Sequence, residues 1–150
     1  MKDIELHIIG EGEQKEELIA LAKGYEMFNK NIFFHGFVDE ITKLEILTNS
    51  DFHILNSIEE GFSVVTAEAI LYGIPVIATK CGGPEDFVPP EVGLLIERRN
   101  LKQLIDAILY MMDNSQKYDP EILQEYGKKN FSPDVICRQT YAAYKKAIEG

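Results

Sequence analysis

The feature that most constrains this chain is the alternation, over its first hundred residues, of short apolar runs with longer amphipathic ones. Short apolar runs suit strands buried on both faces, and the amphipathic stretches between them suit the crossover helices that parallel strands require. Ile4 to Ile9 reads as a first strand, broken by Gly10-Glu11-Gly12, and Glu13 to about Met27 as a helix with Leu18, Leu21 and Ala22 at core spacing. Ile32 to Phe34 is the second strand, ending at Gly36, and Asp39 to Leu47 a short helix. Phe52 to Leu55 is the third strand, Ser63 to Tyr72 a helix stopped by Gly73, Ile74 to Ala78 the fourth strand, and Gly93 to Ile96 the fifth. Cys81 to Pro84 reads as a turn, followed by a helical turn over Glu85 to Val88. After Asn100, an N-cap residue, the chain reads as helical in three pieces: about Leu101 to Met112, Pro120 to Lys129 and Pro133 to Ile148.

This order predicts an α/β fold: one domain over residues 1–150, a Rossmann-like parallel open sheet with helices on both faces. Such sheets bind ligands beyond the carboxyl ends of their strands, which directs attention to Gly10–Gly12, Gly36–Asp39, Asn56–Ser63 and Thr79–Pro84.

Charge and composition narrow the partners. Fifteen basic against twenty-five acidic residues give a net charge of -10, which repels polyanions, so nucleic acid and anionic lipid are poor partners. A local anion site stays open to backbone amides, whatever the net charge. No apolar run is long enough for a membrane span and no signal-peptide pattern follows Met1, so a cytoplasmic location is expected. Cys81 and Cys137 lack companions at zinc-like spacing and read as reduced thiols, Cys81 as a packed turn residue. His7, His35 and His53 read as scattered structural histidines, and Tyr110, Tyr118, Tyr126, Tyr141 and Tyr144 as helix-packing residues. No metal is assigned.

The segment from Glu59 to Ala69 concentrates the chemistry. A strand enters it, Gly61 permits a tight turn and a close approach of the backbone to a ligand, and a helix leaves. The free amides near Ser63 to Thr66, at the positive end of the helix dipole, make a cradle for a diphosphate. Glu68, about five residues into the helix, lies roughly 7–8 Å along its axis at ~1.5 Å per residue, a reach that suits a ribose diol. Glu60, before the turn, would face the other side of the diphosphate. By spacing alone the blander reading is ahead, because strand–glycine–helix connections are common in α/β proteins and a helical Glu is usually solvated.

The whole pattern says more. Ser57-x-x-Glu60-Gly61-Phe62, Glu68-Ala69, Gly73-x-Pro75-Val76-Ile77-Ala78-Thr79 and Gly82-Gly83 together resemble the signature of glycosyltransferase family 4, often called group 1. Its hallmark is two glutamates with seven residues between them, here Glu60 and Glu68. The resemblance extends back to Ile8-Ile9-Gly10-x-Gly12 and Phe34-His35-Gly36-x-Val38, and forward through Glu85, the Gly93–Ile96 run and the terminal helices. It implies the C-terminal, donor-binding half of the two-domain GT-B fold. A separate N-terminal half would hold the acceptor, with the Arg and Lys that clamp the diphosphate on a segment preceding this chain.

The resemblance further implies that Glu60 contacts the donor sugar and Glu68 the ribose. The backbone of Gly61, Phe62, Ser63, Val64 and Val65 would serve the sugar and diphosphate. The base would lie near Val38 and Glu40 with Lys43 adjacent, and Gly10 and Gly12 would keep the floor of the cleft open. Ser63 departs from the glycine often found after the phenylalanine. The implied reaction transfers a hexosyl group, with retention, from a UDP-, GDP- or ADP-sugar to an acceptor hydroxyl, in cell-surface glycan or glycolipid synthesis. It calls for no cofactor and no divalent ion. The parent enzyme would be cytoplasmic or at the membrane periphery, and the isolated chain inactive. Two alternatives stand beside this: another GT-B enzyme, such as a nucleotide-sugar epimerase or a phosphorylase, and a non-catalytic nucleotide-binding module.

Overall fold

The computed structural model describes residues 4–149, so residues 1–3 and 150, the ends of the domain expected over 1–150, lie outside the described residues. The chain divides into two compact units, Met1–Asn49 and Ser50–Gly150. The strands follow the same division: hydrogen bonding joins them as a pair and a triplet, all parallel.

The first unit runs β1 (Leu6–Ile9), α1 (Lys15–Gly24), β2 (Ile32–Gly36) and α2 (Glu40–Thr48). Strands β1 and β2 pair with Leu6 opposite Ile32 and Ile8 opposite Phe34. Because side chains alternate between faces, these four residues share one face and line an apolar pocket with Leu18 and Leu21 of α1. Helix α1 is shorter than the expected stretch from Glu13 to Met27. Glu26 turns left-handed at φ 57°, and the amide of Met27 returns to the carbonyl of Ala22 at 2.9 Å, closing the helix. On the opposite face His7 and His35 come together, Nδ1 to Nε2 at 2.9 Å, with rings stacked 5.1 Å apart. Glu5 Oε2 lies 3.5 Å from His7 Nε2. Reading these two histidines as scattered is thereby corrected: parallel pairing brings together residues that the intervening helix separates in sequence.

The second unit runs β3 (His53–Leu55), α3 (Val64–Leu71), β4 (Val76–Thr79), α4 (Pro84–Phe87), β5 (Gly93–Ile96), α5 (Leu101–Asn114), a 3-10 turn (Ser115–Lys117), α6 (Pro120–Phe131) and α7 (Pro133–Glu149). The sheet order is β3-β4-β5, and the central strand's Val76, Ile77 and Ala78 are fully buried. Ile77 and Ile96 pack with Ala107 and Met111 of α5. Helix α3 packs on β3, β4 and α6, and Gly127 lets α6 approach, since a Cβ there would stand 3.0 Å from the Cα of Leu71.

The fourth strand begins two residues later than expected. The amide of Ile74 is used in closing α3, on the carbonyl of Ala69 at 2.8 Å, and Pro75 has no amide to give. Asn100 caps α5 as expected, its Oδ1 accepting the amide of Gln103 at 3.1 Å. The tyrosines divide. Tyr118 packs against the α5 core and Tyr126 against Phe131, whereas Tyr141 and Tyr144 are 71% and 68% exposed. The packing role expected for those last two is corrected, because α7 buries none of its described residues. Among the described residues no helix is long and apolar enough to cross a membrane.

Candidate functional site

The loop after β3 is held by the end of β4 and by the loop after β5. Thr79 Oγ1 donates to the carbonyl of Ser57 at 2.6 Å, and Arg98 Nη1 donates to the carbonyl of Ile58 at 3.1 Å. Glu60 is then fixed through its backbone: its amide donates to the carbonyl of Cys81 at 3.0 Å, and its carbonyl accepts the amide of Gly83 at 2.9 Å. This parallel bridge between Glu60 and Gly82 needs two residues without side chains. Gly82 has φ 119°, and a Cβ on Gly83 would stand 2.2 Å from the carbonyl oxygen of Gly61. Glu85 Oε2 accepts the amide of Gly82 at 2.6 Å and so ties the glycine turn to α4. The spacing Glu60-Gly61 and Gly82-Gly83 thus has a structural cause in one close backbone crossing.

Beyond Gly61 the chain turns into α3. A Cβ on Gly61 would meet no protein atom within 4 Å, so the space beside this turn is open. Phe62 anchors the turn in an aromatic cluster, 4.8 Å from the ring of Phe87 and 5.9 Å from that of Phe131. The hydroxyl of Tyr126 donates to the carbonyl of Phe87 at 3.1 Å. Ser63 is the N-cap, with φ 67° and ψ 83°, and its side chain makes no cap hydrogen bond. A left-handed backbone costs a non-glycine residue about 1–2 kcal/mol, which gives the departure from glycine a physical meaning.

The first bond of the α3 ladder runs from the amide of Ala67 to the carbonyl of Ser63, so the amides of Val64, Val65 and Thr66 precede it. The side chains of Val64 and Val65 stand out from this end, the residues being 63% and 38% exposed. One turn on, Glu68 is partly buried, with Oε2 shielded from solvent. Within this unit, therefore, Glu60, Gly61, Phe62, Ser63, Val64, Val65 and Glu68 belong to one strand–turn–helix connection at the carboxyl end of the sheet.

Two further residues underlie the turn. His53 Nε2 lies 3.3 Å from Thr66 Oγ1, and Thr66 Oγ1 lies 2.8 Å from Ser63 Oγ. Burial pushes the pKa of His53 down to about 4, so its ring is uncharged at neutral pH. Sequence reading passed over this line. Its one visible signal is a Thr three residues after Ser63, which puts both hydroxyls on one face of a helical turn.

The first unit holds the remaining expected residues in two places. Gly10, at φ 126°, donates its amide to the carbonyl of Gly36 at 2.8 Å, while Gly12 stands in open space with its carbonyl accepting from Lys15. Val38 is half-buried just before α2, whose N-cap Asp39 accepts the amide of Thr42 at 2.7 Å. That hydrogen bond holds the Asp39 carboxyl below its ordinary pKa. Glu40 Oε2 and Lys43 Nζ form an ion pair at 2.7 Å. Among the described residues no three His, Cys, Asp or Glu side chains are grouped to hold a metal ion.

Comparisons with known proteins give the family and the fold. The family model described as glycosyl transferases group 1 matches residues 1–130. An uncharacterized glycosyltransferase of Methanocaldococcus jannaschii is 27% identical over 155 residues, covering 96% of this chain and 37% of its own length. An N-acetylgalactosamine-N,N'-diacetylbacillosaminyl-diphospho-undecaprenol 4-alpha-N-acetylgalactosaminyltransferase of Campylobacter jejuni is 32% identical over 116 residues, covering 76% of this chain and 31% of its own length. The chain thus spans about a third of the length of these curated relatives. Among solved structures, Anabaena HepE in complex with UDP-glucose superposes with a TM-score of 0.82 at 23% identity, covering 97% of this chain and 42% of that one. This likeness shows the fold, a Rossmann-like α/β domain of the GT-B kind. With the family model covering residues 1–130 and the paired glutamates on one strand–turn–helix connection, the chain belongs to the group 1 glycosyltransferases.

Proposed function

We propose that this chain is the donor-binding part of a retaining hexosyltransferase that uses a nucleotide-diphosphate sugar. The observation that carries the reading is the end of α3, where the amides of Val64, Val65 and Thr66 precede the helical ladder beside the open turn at Gly61. Amides so placed, at the positive end of the helix dipole, favour a diphosphate and the charge that develops on it as the sugar departs. The Glu60 carboxylate contacts the sugar hydroxyls at the catalytic site without becoming a covalent nucleophile. Glu68 takes the ribose diol. In the first unit, Gly10, Gly12, Val38, Glu40 and Lys43 are assigned to the nucleotide and its base on the family pattern alone.

Attack by an acceptor hydroxyl on the face the diphosphate leaves retains the anomeric configuration. The acceptor is assigned to a separate half of the enzyme, and cell-surface glycan or glycolipid synthesis in the cytoplasm, or at the membrane periphery, is the setting that fits the family. The chain alone then binds nucleotide weakly and turns nothing over. Titration with UDP, GDP and ADP, followed by amide chemical shifts, tests this. Expected is millimolar-range binding (~4 kcal/mol) of one nucleotide, with shifts at the first turn of α3. No response of those amides to any of the three overturns the reading.

A further inference from the structure

The polar line His53–Thr66–Ser63 is not used by the reading above. Its setting becomes clear against the other capped helices of the chain. Asp39, Asn100 and Asp119 all have negative φ, and each turns its side chain onto an amide of its own first helical turn, at 2.7, 3.1 and 2.9 Å. A serine N-cap ordinarily does the same from an extended backbone. Ser63 instead has φ 67°, makes no such bond, and its hydroxyl lies 2.8 Å from that of Thr66. Thr66 is fully buried and has His53 Nε2 as a second neighbour at 3.3 Å.

Two conformations are open in principle to a serine at this position. In one, the backbone is extended and the hydroxyl accepts a first-turn amide, the arrangement local preferences favour. In the other, observed here, the backbone is left-handed and the hydroxyl is held by Thr66. The first consumes an amide that an incoming anion needs, and the second leaves it open. We infer that Thr66 and His53 are positioning residues that hold the Ser63 hydroxyl off the α3 amides and so keep that helix end available to the donor diphosphate. The inference rests on the donor-binding reading and adds to it the residues that hold the site open. Thr66 Oγ1 has two neighbours, Ser63 Oγ and His53 Nε2, so its one proton and its lone pairs serve both and fix its orientation.

The experiment compares the chain with Thr66→Val, Thr66→Ser and the double variant Thr66→Val/Ser63→Gly, each by amide and carbon shifts, free and titrated with UDP, GDP and ADP. Valine matches threonine in shape and removes only the hydroxyl. Thr66→Val is expected to move the Ser63 Cα and Cβ shifts to those of an extended N-cap serine, and to weaken the bound nucleotide about five- to tenfold, the scale of one ordinary hydrogen bond. Thr66→Ser retains binding. The double variant regains it, because glycine adopts a positive φ freely and has no hydroxyl to place on the amides. Shifts outside α3 report whether each variant is folded. If Ser63 keeps its left-handed shifts in folded Thr66→Val, or if the double variant binds no better than the single one, the inference is overturned. If Ser63 switches as expected but wild-type chain binds none of the three nucleotides, the donor-binding reading falls and the inference falls with it.

Discussion

The amide of Gly83 donates to the carbonyl of Glu60 at 2.9 Å, and beside this bond Gly83 has no room for a side chain. At Glu60 itself, the loop that carries one of the paired glutamates is therefore held by main-chain groups of the turn after β4, beside the side-chain bonds of Thr79 and Arg98 to the carbonyls of Ser57 and Ile58. Such an anchor fixes where the Glu60 backbone lies before any ligand arrives, which lowers the ordering cost of binding.

Gly83→Ala tests that anchor. The added Cβ would stand 2.2 Å from the Gly61 oxygen and 2.6 Å from the Phe62 Cα, both backbone atoms that move only with their loop. A loss of about 1–3 kcal/mol in stability is expected from such overpacking. Urea denaturation measures it, and a change below about 0.5 kcal/mol, the scale of a neutral surface substitution, shows that the crossing is slack.

The two glutamates should separate by ligand. Glu68→Ala is expected to weaken UDP, GDP or ADP itself by about tenfold, whereas Glu60→Ala mainly weakens the corresponding nucleotide sugar. Calorimetric titration of each variant with the bare nucleotide and with its sugar conjugate distinguishes them. Equal effects of both changes on the bare nucleotide contradict the assignment.

The pH dependence of stability should carry the mark of His53. Its folded pKa is about 4 against an ordinary value of 6.5, so below 6.5 the unfolded chain takes up a proton that the folded chain does not. This stability is present in full above pH 6.5 and is lost as the pH falls towards 4. The residue keeps some exposure, so the loss is about 1–3 kcal/mol. His53→Phe should flatten the difference between denaturation midpoints at pH 7 and pH 5. An unchanged slope in that variant assigns the pH dependence to other groups.

The aromatic cluster under Phe62 should matter to the turn as well as to the core. Phe131→Ala removes edge-on contacts to Phe62 at 5.9 Å and Phe87 at 5.4 Å and is expected to cost about 2–4 kcal/mol. Tyr126→Phe removes only the hydrogen bond to the Phe87 carbonyl and should cost about 0.5–1.5 kcal/mol. Thermal melts of the pair, run side by side, check the order.

How much of this was legible beforehand follows from the range of the forces involved. Alternation of strand and helix is written in local hydrophobic period, so every expected strand and helix exists and β5 runs from Gly93 to Ile96 as read. Asn100 announced its helix by a side-chain bond that spans only three residues. The Glu60–Glu68 spacing placed both carboxylates on one loop-and-helix segment for the same reason.

Other features depend on residues far apart in sequence. The seating of Gly82 and Gly83 under Glu60 and Gly61, the meeting of His7 with His35, and the contact of His53 with Thr66 all arise from parallel strand pairing and packing, which no local pattern specifies. Ser63 joins both levels: its residue type favours an extended helix cap, and the buried Thr66 hydroxyl stands where it can hold the left-handed alternative. By itself the sequence determined the order of elements and the spacing of the paired acids. Only tertiary structure decided which backbones cross and where the Ser63 hydroxyl rests, because those outcomes depend on atoms that folding alone brings within a few ångströms.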